Sequence, residues 1–153
     1  PVDVEFVEGI PDMSMFSDKD NNLLIIDDLM NDAGRSKAIA DLFTKGCHHR
    51  NISVILLLQN LFHQAKAMRD IHTSTNYLVL FNNPRDSSQM KYLENQCFPC
   101  SRNYLVDAYR KACSKPYGYI ILDFCQTTPP EYRLSSGIFP PEIMKIYLPH
   151  KTH

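Results

Sequence analysis

Two adjacent carboxylates, Asp27 and Asp28, stand at the end of an uninterrupted apolar run, Leu23-Leu24-Ile25-Ile26. Such a run suits a central parallel strand covered on both faces by helices. Ligands of open α/β sheets bind at the carboxyl ends of the strands, which is where this pair falls. Like charges side by side repel, so the pair calls for a cation or a catalytic role. In phosphoryl-transfer sites a strand-end Asp holds Mg²⁺ and a neighbouring carboxylate orients the attacking water. An ordinary strand followed by an Asx-type turn is the structural alternative.

Two further strand ends carry polar groups. Ile52 to Leu58 closes on Gln59-Asn60, and Tyr77 to Phe81 closes on Asn82-Asn83-Pro84-Arg85-Asp86. In a parallel sheet with these strands close together, the three ends would converge on one crevice. A carboxamide such as Gln59 both donates and accepts, so it can bridge a phosphate oxygen and a positioned water; it can equally satisfy its own strand-end backbone. Cys97-Phe98-Pro99-Cys100 is a lone C-x-x-C without the second ligand pair that a zinc site needs. A redox role would want a helix N-terminus to lower a thiol pKa, and structural cysteines account for the spacing better. His48 and His49 are adjacent and cannot share a helix face, which makes a metal pair the weaker reading. Asn51-Ile52-Ser53 matches a glycosylation pattern but opens a buried strand, and we discard it.

The elements that must position these groups alternate. Val2 to Val7 reads as a short strand and Gly9 to Asn22 as a loop. Asp32 can cap a helix from about Arg35 with Ala38, Ile39, Leu42 and Phe43 on one face, and Gly46 ends it. Leu61, Phe62, Ala65 and Met68 suit a helix after the second strand. Asn83 as N-cap and Pro84 at the first helical position open another, with Met90, Leu93 and Cys97 at helical spacing. A further helix runs from Ser101 to about Cys113 with Tyr104, Leu105, Ala108, Tyr109 and Ala112 on its buried stripe. Tyr119 to Phe124 is a fourth buried strand, and an extended piece around Tyr132 to Phe139 ends at Pro140-Pro141. Buried strands alternating with helices predict βαβ units around a parallel core.

Length and composition frame this reading. At 153 residues the chain fits a single domain, 1–153. Hydrophobic residues make up 44% and charged residues 22%, so the composition is that of an ordinary globular protein. With a net charge of −1, no global basic field advertises nucleic-acid binding, and any such contact must be local or built by an assembly. No apolar run is long enough to span a bilayer and no signal peptide opens the sequence. An odd set of five cysteines scattered through regular structure fits a reducing, intracellular setting rather than a secreted disulfide framework.

The ordered series Leu23–Asp28, Asp41-Leu42-Phe43-Thr44-Lys45-Gly46, His48-His49-Arg50-Asn51, Gln59-Asn60-Leu61-Phe62-His63-Gln64 and Asn83-Pro84-Arg85-Asp86 resembles the FtsK/HerA-type genome-packaging ATPases. The likeness is to the version carried by Polinton/Maverick elements and adintovirus-like double-stranded DNA viruses. Lys115-Pro116-Tyr117-Gly118-Tyr119, Tyr132-Arg133-Leu134 and Ile138-Phe139-Pro140 extend it from about Val4 to Pro140. The resemblance implies a P-loop NTPase-like three-layer α/β/α fold with a mostly parallel sheet, in a homo-oligomeric ring that uses ATP and Mg²⁺ to drive double-stranded DNA into a capsid. It implies an intracellular or virion-associated protein, in the host nucleus or cytoplasm. Asp27 would match the Walker B magnesium carboxylate, acting through water, and Asp28 the carboxylate that orients the lytic water. Gln59 would match the polar sensor. Arg50 and Arg85 are alternatives for an arginine acting across a subunit boundary, and each also fits a surface residue or an intramolecular ion pair.

One part of the family pattern is missing. The loop G-x-x-x-x-G-K-[ST] cradles phosphates with its backbone amides and its Lys. The five glycines here are followed by Ile10, Arg35, Cys47, Tyr119 and Ile138, so the chain contains no Gly-Lys pair. We therefore expect the C-terminal portion of a P-loop ATPase domain, from Walker B onward, without the first strand, the phosphate loop and the first helix. Alone it should neither bind ATP tightly nor hydrolyse it. A non-catalytic interaction module derived from such an ATPase is the alternative. A Mg²⁺-dependent phosphatase or nuclease using Asp27 and Asp28 has less support, because two-metal sites want more carboxylates than the strand ends provide.

Overall fold

The computed structural model describes residues 4–17, 19–27, 33–43, 51–59, 73–83 and 87–149. Its contacts divide the chain into two compact units, Pro1–Thr75 and Asn76–His153.

In the first unit, β1 (Asn22–Asp27) is followed by α1 (Ala33–Asp41) and β2 (Ile52–Leu57). β1 and β2 pair in parallel, with Asn22 opposite Ile52 and Asp27 opposite Leu57. Parallel neighbours need a crossover connection, and α1 lies within it. The core is one-sided. Ile26, Ile39, Ala40 and Leu42 are buried, with Ile10, Leu24, Phe43, Val54, Leu56 and Leu58 packed against them. Alternation then puts Leu23 and Ile25 on the opposite face, where they are 59% and 57% exposed, together with the exposed Ile55 and Leu57. Burial on both faces, expected from the apolar run, is thus not found among the described residues; the period-2 geometry of a strand leaves every second residue outside whatever covers one face. Val4 to Val7 belong to no strand, and Val4 and Phe6 are exposed. Among the described residues their alternating pattern has no neighbouring strand to pair with, and a strand exists only through its neighbour.

In the second unit, β3 (Tyr77–Phe81), β4 (Tyr119–Asp123), β5 (Leu134–Ser136) and β6 (Lys145–Ile146) form an antiparallel sheet in the order β3-β4-β5-β6. This corrects the expectation of parallel pairing beyond the first two strands. β3 and β4 are separated by α2 (Ser87–Cys97) and α3 (Tyr104–Ala112). One helix returns the chain to the edge where the previous strand began, whereas two in succession bring it back at the opposite edge and reverse the next strand. α3 lies against α2, β4 and β5. Tyr104, Leu105, Ala108 and Tyr109 of its predicted stripe are buried, as are Met90 and Leu93 on α2, Ile120 and Leu122 on β4, and Leu134 on β5. Gly137 follows β5 with φ +74, and a Cβ there would lie 2.5 Å from the Ile143 carbonyl oxygen, so the return to β6 requires glycine. No strand was expected after Pro140-Pro141; β6 is too short to leave a periodic signal.

Candidate functional site

The site begins with the parallel pair. Because Asp27 stands opposite Leu57, Gln59 follows two residues beyond that register on the neighbouring chain segment. A carboxylate and a carboxamide therefore occupy the same carboxyl-end edge of β1 and β2. Both residues are exposed. Asp27 falls on the alternation of Leu23 and Ile25 rather than on that of the packed Leu24 and Ile26. An aspartate there is exposed and open to a ligand.

The opposite edge is tied by asparagines. Asn51 adopts φ +47, which asparagine tolerates better than most side chains. Its Nδ2 donates to Asn21 Oδ1 at 2.7 Å and to the Asp20 carbonyl at 3.3 Å, while its own carbonyl accepts from Asn22 N–H at 3.1 Å. Asn22 Nδ2 donates to the Ser17 and Asp20 carbonyls. These bonds fix the entries of β1 and β2 together, and so hold the register that brings Asp27 and Gln59 to one edge.

Asp28, Arg50, Arg85 and Asn60, like His48, His49 and the expected helix around Leu61 to Met68, lie outside the described residues. Asn82 and Asn83, the third polar strand end, belong to the second unit. There the Asn83 N–H donates to Tyr109 Oη at 3.0 Å, and Tyr109 in turn donates to the Phe81 carbonyl at 2.9 Å. One phenol on α3 closes both backbone groups at the end of β3.

Asp123 shows what a structural strand-end aspartate looks like. Its carboxylate accepts from Cys125 N–H and from Thr128 Oγ1, both at 2.8 Å. Burial pushes this carboxyl up, but the bonds from Cys125 and Thr128 and the nearby Arg133 outweigh it and hold it below the ordinary value. It is occupied by its own turn.

Of the C-x-x-C pair, Cys97 sits at the wrong helix end for redox chemistry. Cys97 closes α2, and burial pushes its thiol pKa up. Reactive thiolates are found instead at helix N-termini, where the pKa falls. Among the described residues no cluster of three or more His, Cys, Asp or Glu side chains could hold a metal ion.

Sequence reasoning missed Glu94. It is only 6% exposed, and its Oε1 accepts from Leu105 N–H at 2.8 Å and Val106 N–H at 3.5 Å, at the start of α3. The signal was present: an acid one turn after Met90 and one turn before Cys97, inside an otherwise apolar stripe.

A βαβ unit that presents a carboxylate and a carboxamide at the carboxyl ends of adjacent parallel strands has the site placement of α/β ligand-binding proteins. The particular family follows from comparison: residues 5–128 match the model of the poxvirus A32 protein family, and the chain belongs to that family, one of viral genome-packaging ATPases. The matched span holds Asp27, Asp28, Arg50, Gln59 and Arg85, and ends before β5. No curated protein and no solved structure matches the chain. No described helix is long and apolar enough to cross a membrane.

Proposed function

We propose that this chain is the Walker B-bearing part of an ATP-driven motor that translocates double-stranded DNA into the capsid of a DNA virus or Polinton-like element. The observation that carries the reading is the A32 family match over a span whose parallel β1–β2 pair delivers Asp27 and Gln59 to one edge. The reading includes a P-loop core of FtsK/HerA type, a homo-oligomeric ring, contact with capsid components, and action within the infected cell or virion.

Asp27 suits Mg²⁺, a hard cation that binds through one or two carboxylates and keeps several waters. The exposed strand-end carboxylate offers that kind of oxygen donor. Bound there, Mg²⁺ would neutralise phosphate charge. Asp28, next in sequence, is proposed to orient the attacking water, with Gln59 sensing the terminal phosphate from the adjacent strand end. Arg50 or Arg85 would supply positive charge across a subunit boundary.

Lacking any Gly-Lys pair, the 153 residues do not contain the phosphate cradle, so we further propose that this polypeptide alone does not turn over ATP. An interaction module derived from the ATPase is the second reading, and the same missing pair favours it. Phosphate release from Mg·ATP tests both. The expected result is no steady release by the chain alone, and release once the polypeptide supplying the loop is present, abolished by Asp28→Asn. Release by the chain alone that depends on Asp28 overturns the inactivity. Release in the loop-supplied protein that survives Asp28→Asn removes the catalytic assignment, and no release under any arrangement favours the module.

A further inference from the structure

We propose that the turn joining α3 to β4, carrying Lys111, Lys115 and Tyr117, is a surface that grips the DNA backbone. Tyr117 is 93% exposed and has φ +60. For a bulky residue that backbone conformation is an outlier, and such outliers persist where the surroundings fix them and function uses them. The turn is closed by Gly118 N–H donating to the Lys115 carbonyl at 3.0 Å, and Pro116 stiffens it. The result is an aromatic ring held out in water at the tip of a short, ordered loop.

Along the turn itself the charges share one sign. From Ala108 to Gly118 the sequence contains Arg110, Lys111 and Lys115 and no acid. Arg110 faces Asp107 at 3.7 Å, while Lys111 and Lys115 are exposed. The helix dipole explains cations in the last turn of α3, at Arg110 and Lys111. It explains neither Lys115, which lies beyond the helix, nor the placement of Tyr117. In a chain of net charge −1 this is a local cationic patch, the form a nucleic-acid contact must take here. Lysines neutralise phosphates, and a tyrosine adds a hydroxyl donor to a phosphate oxygen together with a ring that can pack on deoxyribose, a sugar that bare polyphosphate does not offer. The choice of DNA among nucleic acids rests on the packaging reading above; the charge and the exposed ring stand without it.

The test is binding of the full chain, without nucleotide, to a short labelled DNA duplex by fluorescence anisotropy across a salt series, with inorganic polyphosphate as a polyanion lacking bases. In the double variant Lys111→Ala, Lys115→Ala the log–log salt slope should become shallower by about 2, near 0.9 for each phosphate that a lysine no longer neutralises. Tyr117→Gly keeps a residue at ease with φ +60, so its thermal midpoint should stay at or above the parent's while duplex affinity falls about fivefold, the loss of one ordinary hydrogen bond. Polyphosphate binding should weaken in the lysine variant, and in Tyr117→Gly it should fall less than duplex binding does, because polyphosphate offers phosphate oxygens but no sugar. No duplex binding by the parent, an unchanged slope in the lysine variant, or full duplex affinity in Tyr117→Gly would each overturn the proposal. Tyr117→Asn, which also tolerates the left-handed backbone, guards against misfolding of the glycine variant. Because the assay contains no ATP, failure of the hydrolysis reading leaves its outcome intact, and the reverse also holds.

Discussion

The carboxylate of Glu94 on α2 accepts the Leu105 N–H of α3 at 2.8 Å and so caps a helix that its own N-cap residue does not cap. Asn103, at the N-cap position, is left-handed with φ +59 and forms no side-chain cap. The first amides of α3 would otherwise be orphaned inside the core, and an anion at a helix N-terminus also meets the positive end of the dipole. Replacing Glu94 with Ala should lower stability by about 1–3 kcal/mol, the cost of leaving buried donors unpaired. Glu94→Gln, which keeps one acceptor oxygen, should lose less. Urea unfolding followed by circular dichroism checks both; equal stability of Glu94→Ala and the parent would show that the cap contributes nothing.

Tyr109 makes a second such tie. Tyr109→Phe keeps the buried ring but removes the acceptor for Asn83 N–H and the donor to the Phe81 carbonyl. A loss of about 1–2 kcal/mol is expected, together with faster hydrogen exchange at the Asn83 amide. Exchange at Asn83 as slow as in the parent would mean that the end of β3 is held by other contacts.

The alkaline limit of stability should follow Tyr104. Burial, then the charge of Glu131, pushes its phenol from 10.0 up to about 12. Its hydroxyl donates to the Tyr147 carbonyl at 2.6 Å. The unfolded chain loses this proton first as pH rises, so the contribution is complete below pH about 10 and is lost towards about 12. Tyr104→Phe should flatten part of that slope in urea midpoints. Cys113, whose thiol burial pushes from 9.0 up to about 11, and Cys97, also pushed up by burial, contribute to the rest.

At the acid end Asp123 should show the opposite sign. Its carboxyl is held below the ordinary value, so its contribution is present above the unfolded pKa and lost as pH falls through the folded one. Asp123→Asn should reduce the acid dependence of the unfolding midpoint. An unchanged acid limb would show that the Thr128 and Cys125 bonds do not discriminate the charged form.

Asp27 is expected to matter for chemistry and not for folding. It is exposed at the end of β1, and Asp27→Asn should change stability by no more than about 0.5 kcal/mol. Phosphate release by the loop-supplied protein should nonetheless be lost. A large drop in thermal stability would instead identify Asp27 as a structural strand-end residue of the Asp123 kind.

The local pattern of residues determined much of this protein. Apolar runs fixed the strands at Leu23 to Asp27, Ile52 to Leu57, Tyr77 to Phe81 and Tyr119 to Asp123, and helical spacing fixed the buried stripe of α3, because both signals depend only on near neighbours along the chain. Asp27 and Gln59 at the strand ends were legible for the same reason, and the ordered motifs indicated a viral packaging ATPase, as the A32 match shows. The direction of β3 relative to β4 was not legible, nor was the open face of β1 and β2, because pairing and covering depend on elements distant in sequence. The cap from Glu94 to Leu105, the Tyr109 tie to Asn83 and the asparagine clasp at Asn51 were decided by tertiary structure alone. In each, a polar group's worth is set by which distant backbone amide or carbonyl the fold brings within hydrogen-bonding reach.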